Sequence, residues 1–467
     1  MRALPVAASL GLIALLVGPV ASVAFDPLAW DPASEGWSTR QGPEALETDA
    51  VAAASFVAAP VATDALDAVP VFGGEARVDN ADRIGEPGIS AGPDGTLYVD
   101  APGRFWRSQD GGATWTKLNM QGVVVCGCDA DSTVDDLNNV WYADLNFPNC
   151  TQLGLSPVHG DAWVPMPLCN PGQDRQWIET SGSLHTYATY RIGGRIHLHV
   201  AEANPVPAFA PFGSFNVQNS NFRAGGMAVD RATDPGLDRA VLTYTSGNTV
   251  RVVVTELGGV VGGLAGQQTN GVVAHDYLVA TTGGSNLDAF SSAAVDAAGN
   301  IYVVWNERAV VGGATITHSM YASSTDHGAT WSAPHKLEQG PATTVYPWPV
   351  AGGAGQLFVT YYGSSQAALP GSVSGDWYVY GAYTENALDP APTLQESLVV
   401  PHKVRTGPIC TQGTGCAGGS RAFLDFYVAS KMADGTVIIA FNDSETLASS
   451  AAPYVHFVKQ LSGPKLI

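Results

Sequence analysis

The sequence predicts an all-β protein built as a radial array of hairpins, a β-propeller of seven blades, with six as the alternative count. Three observations carry that prediction. Charged residues make up only 14% of the chain, while Gly and Pro number 53 and 30, a balance that favours many short strands and turns over long helices. A hairpin unit recurs at spacings of about 40–75 residues: an apolar strand, a turn with Gly, Asp or Asn, then a strand rich in Val, Tyr or Ile. Finally, the pattern Ser-x-Asp-x-Gly-Ala-Thr-Trp is spelled out at Ser108–Trp115 and again at Ser324–Trp331.

The chain opens with MRALPVAASLGLIALLVGPVASVA, in which Arg2 precedes an apolar core, Leu10–Val17, and Ser22 and Ala24 are small. This is the pattern of a cleaved secretory signal over residues 1–24. Residues 25–74 are rich in Ala, Pro and acids and read as a flexible leader without a periodic core. The propeller is expected over residues 75–467. Its hairpins begin near Gly88, Ser132, Trp177, Met227, Ser292, Trp348 and Tyr427, the third being the weakest copy. The last unit shows three strands, FLDFYVA, VIIAFND and YVHFVKQ. An open sheet edge must be satisfied, so a strand near Glu75–Asp79 is expected to complete it and close the ring.

The repeated motif joins the third and fourth strands of a blade. Asp110 and Asp326 are placed to accept bonds from their own turns, Gly112 and Gly328 to adopt positive φ, and Trp115 and Trp331 to be largely buried between blades. A worn copy, SPVHGDAW at Ser156–Trp163, has Val158 where the Asp belongs. The Asp residues therefore read as structural rather than catalytic.

These residues resemble the Asp-box, or bacterial neuraminidase repeat, of sialidase-like propellers. The resemblance spans about residues 75–460 and implies that the site lies at the face where each innermost strand begins, with the boxes on the opposite face. Residues preceding the first strands are then the candidates for substrate binding: Arg83, Glu86, Asp129, Asp131, Arg175, Asp288, Arg421 and Asp425, with Asp174 beside them. The family also implies an arginine triad for a substrate carboxylate, a Tyr nucleophile activated by Glu, and an Asp acid/base. Arg83-Ile84 stands where the family has Arg-Ile-Pro, but Gly85 replaces the Pro; Arg175 and Arg421 are the other triad candidates. Asp100, on a loop expected after the second strand, takes the acid/base role, Tyr346 that of nucleophile, and Glu307 or Glu179 that of its partner.

Two functions follow as expectations. One is binding, and exo-hydrolysis of the sialidase type, of terminal sugars on extracellular glycans. The other is a non-catalytic propeller that binds a cell-surface glycan or protein. Arginines grouped on one site favour the first; arginines each paired to acids favour the second. Without residues 1–24 the chain carries 21 basic residues against 42 acidic ones, which disfavours nucleic acid and anionic membrane surfaces. A secreted monomer without cofactor, metal or membrane insertion is expected. His197 and His199 share a strand face but read as packing residues, and DADSTVDDLNN lacks the Gly of a calcium loop. Asn149 and Asn442 begin glycosylation sequons. The six cysteines suit an oxidising compartment, with local pairs expected at Cys150/Cys169 and Cys410/Cys416; Cys126 and Cys128 are left open between a mutual bond, a bridge to the 410–416 loop, and a metal.

Overall fold

The computed structural model describes residues 69–123, 128–146, 150–169, 172–182, 185–202, 210–216, 222–230, 238–257, 272–283, 290–412, 416, 422–423, 425–444 and 452–467. Of two units along the chain, Met1–Val51 lies outside these residues, and Ala52–Ile467 holds seven antiparallel sheets. Each sheet is one blade. Blade 1 is β2 (Gly88–Ala91), β3 (Leu97–Ala101), β4 (Arg104–Ser108) and β5 (Thr116–Lys117); blade 2 is β6 (Ala130–Val134), β7 (Val140–Asn146), β8 (Cys150–Ser156) and β9 (Val164–Pro165). Blade 3 is β10 (Gln173–Thr180), β11 (His185–Ile192), β12 (Arg195–Glu202) and β13 (Ala210–Asn216); blade 4 is β14 (Phe222–Asp230), β15 (Arg239–Ser246), β16 (Thr249–Leu257) and β17 (Val272–Thr281). Blade 5 is β18 (Ser292–Val295), β19 (Ile301–Val311), β20 (Ala314–Ser324) and β21 (His335–Lys336). Blade 6 is β22 (Thr343–Ala351), β23 (Leu357–Ser364), β24 (Asp376–Thr384) and β25 (Gln395–Leu398), with β26 (Arg405–Thr406) added beside β24.

Blade 7 contains β27 (Val428–Lys431), β28 (Val437–Asp443) and β29 (Tyr454–Ser462), and its outermost strand is β1 (Val71–Arg77) from the other end of the chain. The closing strand forms as expected in kind, but it starts before Glu75, inside the segment read as leader. It carries a bulge between Gly73 and Ala76. The remaining backbone near it is also used: the Val78 N–H donates to the Val455 carbonyl at 2.9 Å.

A blade is covered on both faces by its neighbours, so its middle strands are buried on both sides rather than alternating with exposure. Every residue of Leu357–Ser364 and of Val437–Asp443 is buried. The core is correspondingly divided into seams between blades, such as Val241, Val252, Val303 and Trp305 between blades 4 and 5, and Phe358, Tyr362, Tyr427 and Phe441 between blades 6 and 7. Each such side chain contributes roughly 1.5–3 kcal/mol on burial. The outer strands of blades 1, 2 and 5 are only two residues long, a form that leaves little edge for pairing with other chains. Among the described residues no helix is long and apolar enough to cross a membrane.

The repeated motif forms the same turn twice. Ser108 donates to Asp110 at 2.8 Å, and Asp110 accepts from the Thr114 N–H at 2.9 Å and the Thr114 hydroxyl at 2.6 Å. Ser324, Asp326 and Thr330 repeat these bonds at 2.8, 2.8 and 2.6 Å. The bonds from Thr114 and Ser108 lower the Asp110 pKa to about 2. In the worn copy the Ser156 hydroxyl still accepts from the Gly160 N–H at 2.8 Å, so that half of the turn survives without the carboxylate.

Trp115 and Trp331 are half-buried, not largely buried as the sequence suggested. Each ring packs on its neighbours with one side only and leaves the other toward solvent. Trp115 meets Phe457 of blade 7 edge-on at 5.3 Å, and Trp331 donates to the Gly328 carbonyl at 2.8 Å while resting against the seam between blades 4 and 5. The glycines make the closer contact. A Cβ at Gly112 would lie 1.9 Å from the Phe457 ring.

Candidate functional site

Because every blade is an antiparallel meander, the starts of the first strands share one face of the propeller, and the motif turns, between third and fourth strands, lie on the other. Among the described residues, three non-glycine residues on the first face adopt left-handed backbone: Glu86, Arg175 and Tyr346, with φ of 56, 56 and 58°. Each lies just before or within a first strand, and Arg175 and Tyr346 fall in register breaks of β10 and β22. Such a bulge re-aims a side chain, and the conformation costs such residues on the order of 1–3 kcal/mol each, a strain that clusters at functional sites.

Arg175 is the centre of the cluster so formed. Its guanidinium is paired to Asp425 and lies 3.6 Å from Glu86 and 3.8 Å from Asp129. Its carbon sits 4.0 Å from the centre of the Phe290 ring, a cation–π contact. The side chain is only 11% exposed. Burial opposes its charge, but Asp129, Asp425 and Glu86 outweigh that and hold it cationic. The cluster is cross-braced: Glu86 accepts from the Asp425 N–H at 3.2 Å, and the Gln176 amide donates to the Asp129 carbonyl at 2.6 Å. Trp177, Trp348 and Phe426, from blades 3, 6 and 7, form an aromatic group beside it, with ring centres 5.0–6.1 Å apart.

The far side of this face is built differently. The Tyr346 hydroxyl donates to the Cys410 carbonyl at 3.2 Å, and Arg223 of β14 donates to the Thr411 carbonyl at 3.0 Å. Arg405 is fully buried, donates twice to the Pro408 carbonyl at 2.9 and 2.7 Å and lies 4.9 Å from the Phe423 ring. Burial lowers its pKa to about 10. The loop leaving β26 and carrying the Cys410–Cys416 bond is thus tied to blades 4 and 6.

The other sequence candidates are spread out. Arg83 donates to the Tyr454 hydroxyl at 3.1 Å, on the third strand of blade 7, and the structure does not bring it to Arg175's acids. Asp174 pairs with Arg191 at 2.9 Å. Glu307 accepts from the Gly283 N–H at 3.0 Å, and the Tyr346 N–H is bound by Asn306 at 3.0 Å; Tyr346 and Glu307 are thus engaged separately. Asp100 is not on a loop but in β3, fully buried, where the Ser132 hydroxyl donates to it at 2.6 Å. Burial raises its pKa to about 7; the Ser132 bond opposes the rise and Asp144 adds to it. Asp131 accepts from the Ile178 N–H at 2.7 Å, and burial followed by Asp100 and Glu179 raises it as well. Asp288 and Arg421 lie outside the described residues, as does Cys126.

Cys150 and Cys169 are bonded as expected. His197 and His199 stack on Tyr190, whose hydroxyl lies 2.8 Å from His199 Nε2, and burial followed by the charge of His197 lowers the His199 pKa to about 4. Arg405, Phe290 and the aromatic group were not singled out in the sequence. Arg405 has no pattern around it that marks a buried cation, whereas Trp177 and Trp348 each stand next to a flagged first-strand segment.

No family model matches the chain, and no curated protein matches it. Solved structures of similar architecture include the phage phi92 endosialidase, 9% identical with a TM-score of 0.45 over 85% of this chain and 70% of that one. They also include the α-L-arabinofuranosidase Arb93A from Fusarium graminearum, 10% identical, TM-score 0.41, over 83% and 96%, and the NanB sialidase from Streptococcus pneumoniae, 11% identical, TM-score 0.41, over 85% and 70%. At such identities and TM-scores the likeness says nothing of this chain's function, and the count of seven blades rests on its own sheets.

Proposed function

We propose that this protein is an exported saccharide-binding propeller, and that the cluster around Arg175 is where a terminal sugar of an extracellular glycan is held. The observation that carries the reading is the strained Arg175, inserted among Glu86, Asp129 and Asp425 at the face where the first strands begin. Carboxylates fixed by a guanidinium are good acceptors for sugar hydroxyls, and the half-buried Trp348 offers ring area for a pyranose face, while the Trp177 and Phe426 rings that touch it are buried. Three acids around one guanidinium leave the cluster net negative, so a neutral sugar suits it better than a sialic acid. Export rests on the expected signal over residues 1–24, and the two bonded cystine pairs are compatible with an oxidising compartment. The test is calorimetric titration with matched neutral and sialylated oligosaccharides. Binding of neutral glycans that is lost in Arg175→Met supports the reading; binding of the sialylated set alone overturns it.

A second reading, hydrolysis along the inner strands of blades 2 and 3, has one observation in its favour. Asp131 and Glu179, on neighbouring inner strands, interact electrostatically, and Asp131 is raised, as a proton donor requires. Release of the fluorophore from a panel of neutral fluorogenic glycosides, abolished by Asp131→Asn, supports turnover. Binding without any release confines the protein to recognition.

A further inference from the structure

A second cluster of chemistry-bearing side chains lies where the ring is closed. Glu75 is on the closing strand β1, in the bulge between Gly73 and Ala76, which turns it out of the regular register. Asp443 ends β28 and is fully buried. His402 lies between β25 and β26 of blade 6, with 43% of its side chain exposed. His402 Nε2 is 2.9 Å from Asp443 and 3.6 Å from Glu75, and one ligand atom from each of the three residues falls within 4.8 Å of the others. Behind them, His456 Nδ1 of β29 is 2.7 Å from the same Glu75 carboxylate.

We propose that Glu75, His402 and Asp443 form a site for a divalent transition-metal ion of the Zn2+ class, independent of the saccharide site. Ligands about 2.0–2.1 Å from a tetrahedral ion lie roughly 3.3 Å from one another, and the two separations at His402 Nε2 bracket that value. One imidazole with two carboxylates is a donor set for this class of ion, whereas Ca2+ and Mg2+ select oxygen alone. His456 plays the supporting part, holding the Glu75 carboxylate in place as outer-shell partners do. The exposed edge of His402 leaves a path for the ion and a fourth position for water. An ion bound here joins the strand from the N-terminal side to blade 7 and blade 6 at once. It acts as a clasp on the ring, stabilising the native state by mass action.

The test uses the purified protein after chelator treatment and dialysis. Titration with Zn2+ is expected to give one site per chain and to raise the melting temperature, with Mg2+ and Ca2+ giving neither effect; Co2+ is expected to give the visible absorption of a protein-bound ion. His402→Ala is expected to remove Zn2+ binding, as read by titration of the folded protein, and, because it takes the 2.9 Å partner from the buried Asp443, to lower the metal-free melting temperature, which then no longer responds to Zn2+. His456→Gln is expected to weaken binding about 10–100-fold. Absence of Zn2+ binding to the wild type, or Zn2+ binding to His402→Ala with unchanged stoichiometry and affinity, overturns the proposal.

Discussion

The two faces of the propeller use the same residue types in opposite ways. On the motif face, Asp110 and Asp326 bond to side chains and N–H groups within four residues of themselves. On the other face Arg175 pairs with Asp425, 250 positions away, and Asp425 donates its N–H to Glu86, 339 positions away. The first kind of carboxylate is satisfied as soon as its turn forms. The second is satisfied only once the ring has closed. A carboxylate solved locally serves the fold; one solved by distant blades marks the place where the fold gathers charge.

The largest expected effect breaks this contrast at its centre. Arg175→Met leaves Glu86, Asp129 and Asp425 without the guanidinium they surround, and removing one partner of a buried ionic group costs about 3–5 kcal/mol. Denaturant unfolding is expected to show that loss, together with abolished saccharide binding in the folded fraction. A variant as stable as wild type would mean that the acids are as self-contained as those of the motif turns.

On the motif face the cost is set by glycine, not by charge, and it should be graded. A Cβ at Gly112 would meet Phe457 at 1.9 Å, one at Gly160 would meet Leu118 at 2.4 Å, and one at Gly328 would meet Val254 at 3.1 Å, all at φ near 90°. Gly112→Ala is expected to cost about 3–4 kcal/mol and Gly328→Ala about 1–2 kcal/mol, with Gly160→Ala between them because Leu118 is flexible. Saccharide binding should be unchanged in all three. Equal losses across the series would point to backbone strain alone rather than docking on the preceding blade.

Legibility in the sequence follows the same division. The motif turns and the hairpins depend on short-range patterns, whereas the closing strand was foreseen only from the open edge it must cover, and it starts earlier, at Val71, because its register is set by β29 at the other end of the chain. The first-strand positions were also legible, because Glu86, Arg175 and Tyr346 precede apolar runs. What the sequence did not show is which distant partners meet there. Arg83 stands three residues before Glu86 yet turns to Tyr454, and Asp100, three residues before the turn glycine Gly103, goes inward. Neither direction is encoded within a window of neighbouring residues; both depend on which blade lies alongside.

Asp100 sharpens the comparison through pH. Its folded pKa is about 7 against an ordinary 3.8, so ionisation opposes folding. The penalty is absent below about pH 4, grows through the interval and is complete above pH 7. Asp100→Asn removes it. Relative to wild type, the variant is expected to gain on the order of 2 kcal/mol in unfolding free energy between pH 5 and pH 8. Parallel stability curves for the two proteins would show that Asp100 is not a buried, titrating carboxylate.

The smallest expected effect repairs the worn turn. Ser156–Trp163 keeps the backbone of the intact copies: His159 has φ of 55° where His327 has 58°, and Trp163 Nε1 donates to the Gly160 carbonyl at 3.0 Å as Trp331 does to Gly328 at 2.8 Å. What it lacks is the acceptor at Val158 and the donor at Ala162. Val158 is 44% exposed, so replacing it sacrifices little apolar burial. The double substitution Val158→Asp with Ala162→Thr supplies both bonds that Asp326 makes to Thr330. It is expected to raise stability by about 1 kcal/mol, the net worth of such hydrogen bonds after desolvation. Asp alone should gain part of this through the Thr/Ala162 N–H, and Thr alone nothing, so the four proteins of the cycle report a positive coupling. If the double variant melts no higher than wild type, the carboxylate in the intact copies is not what holds their turns, and the surviving Ser, Gly and Trp are sufficient by themselves.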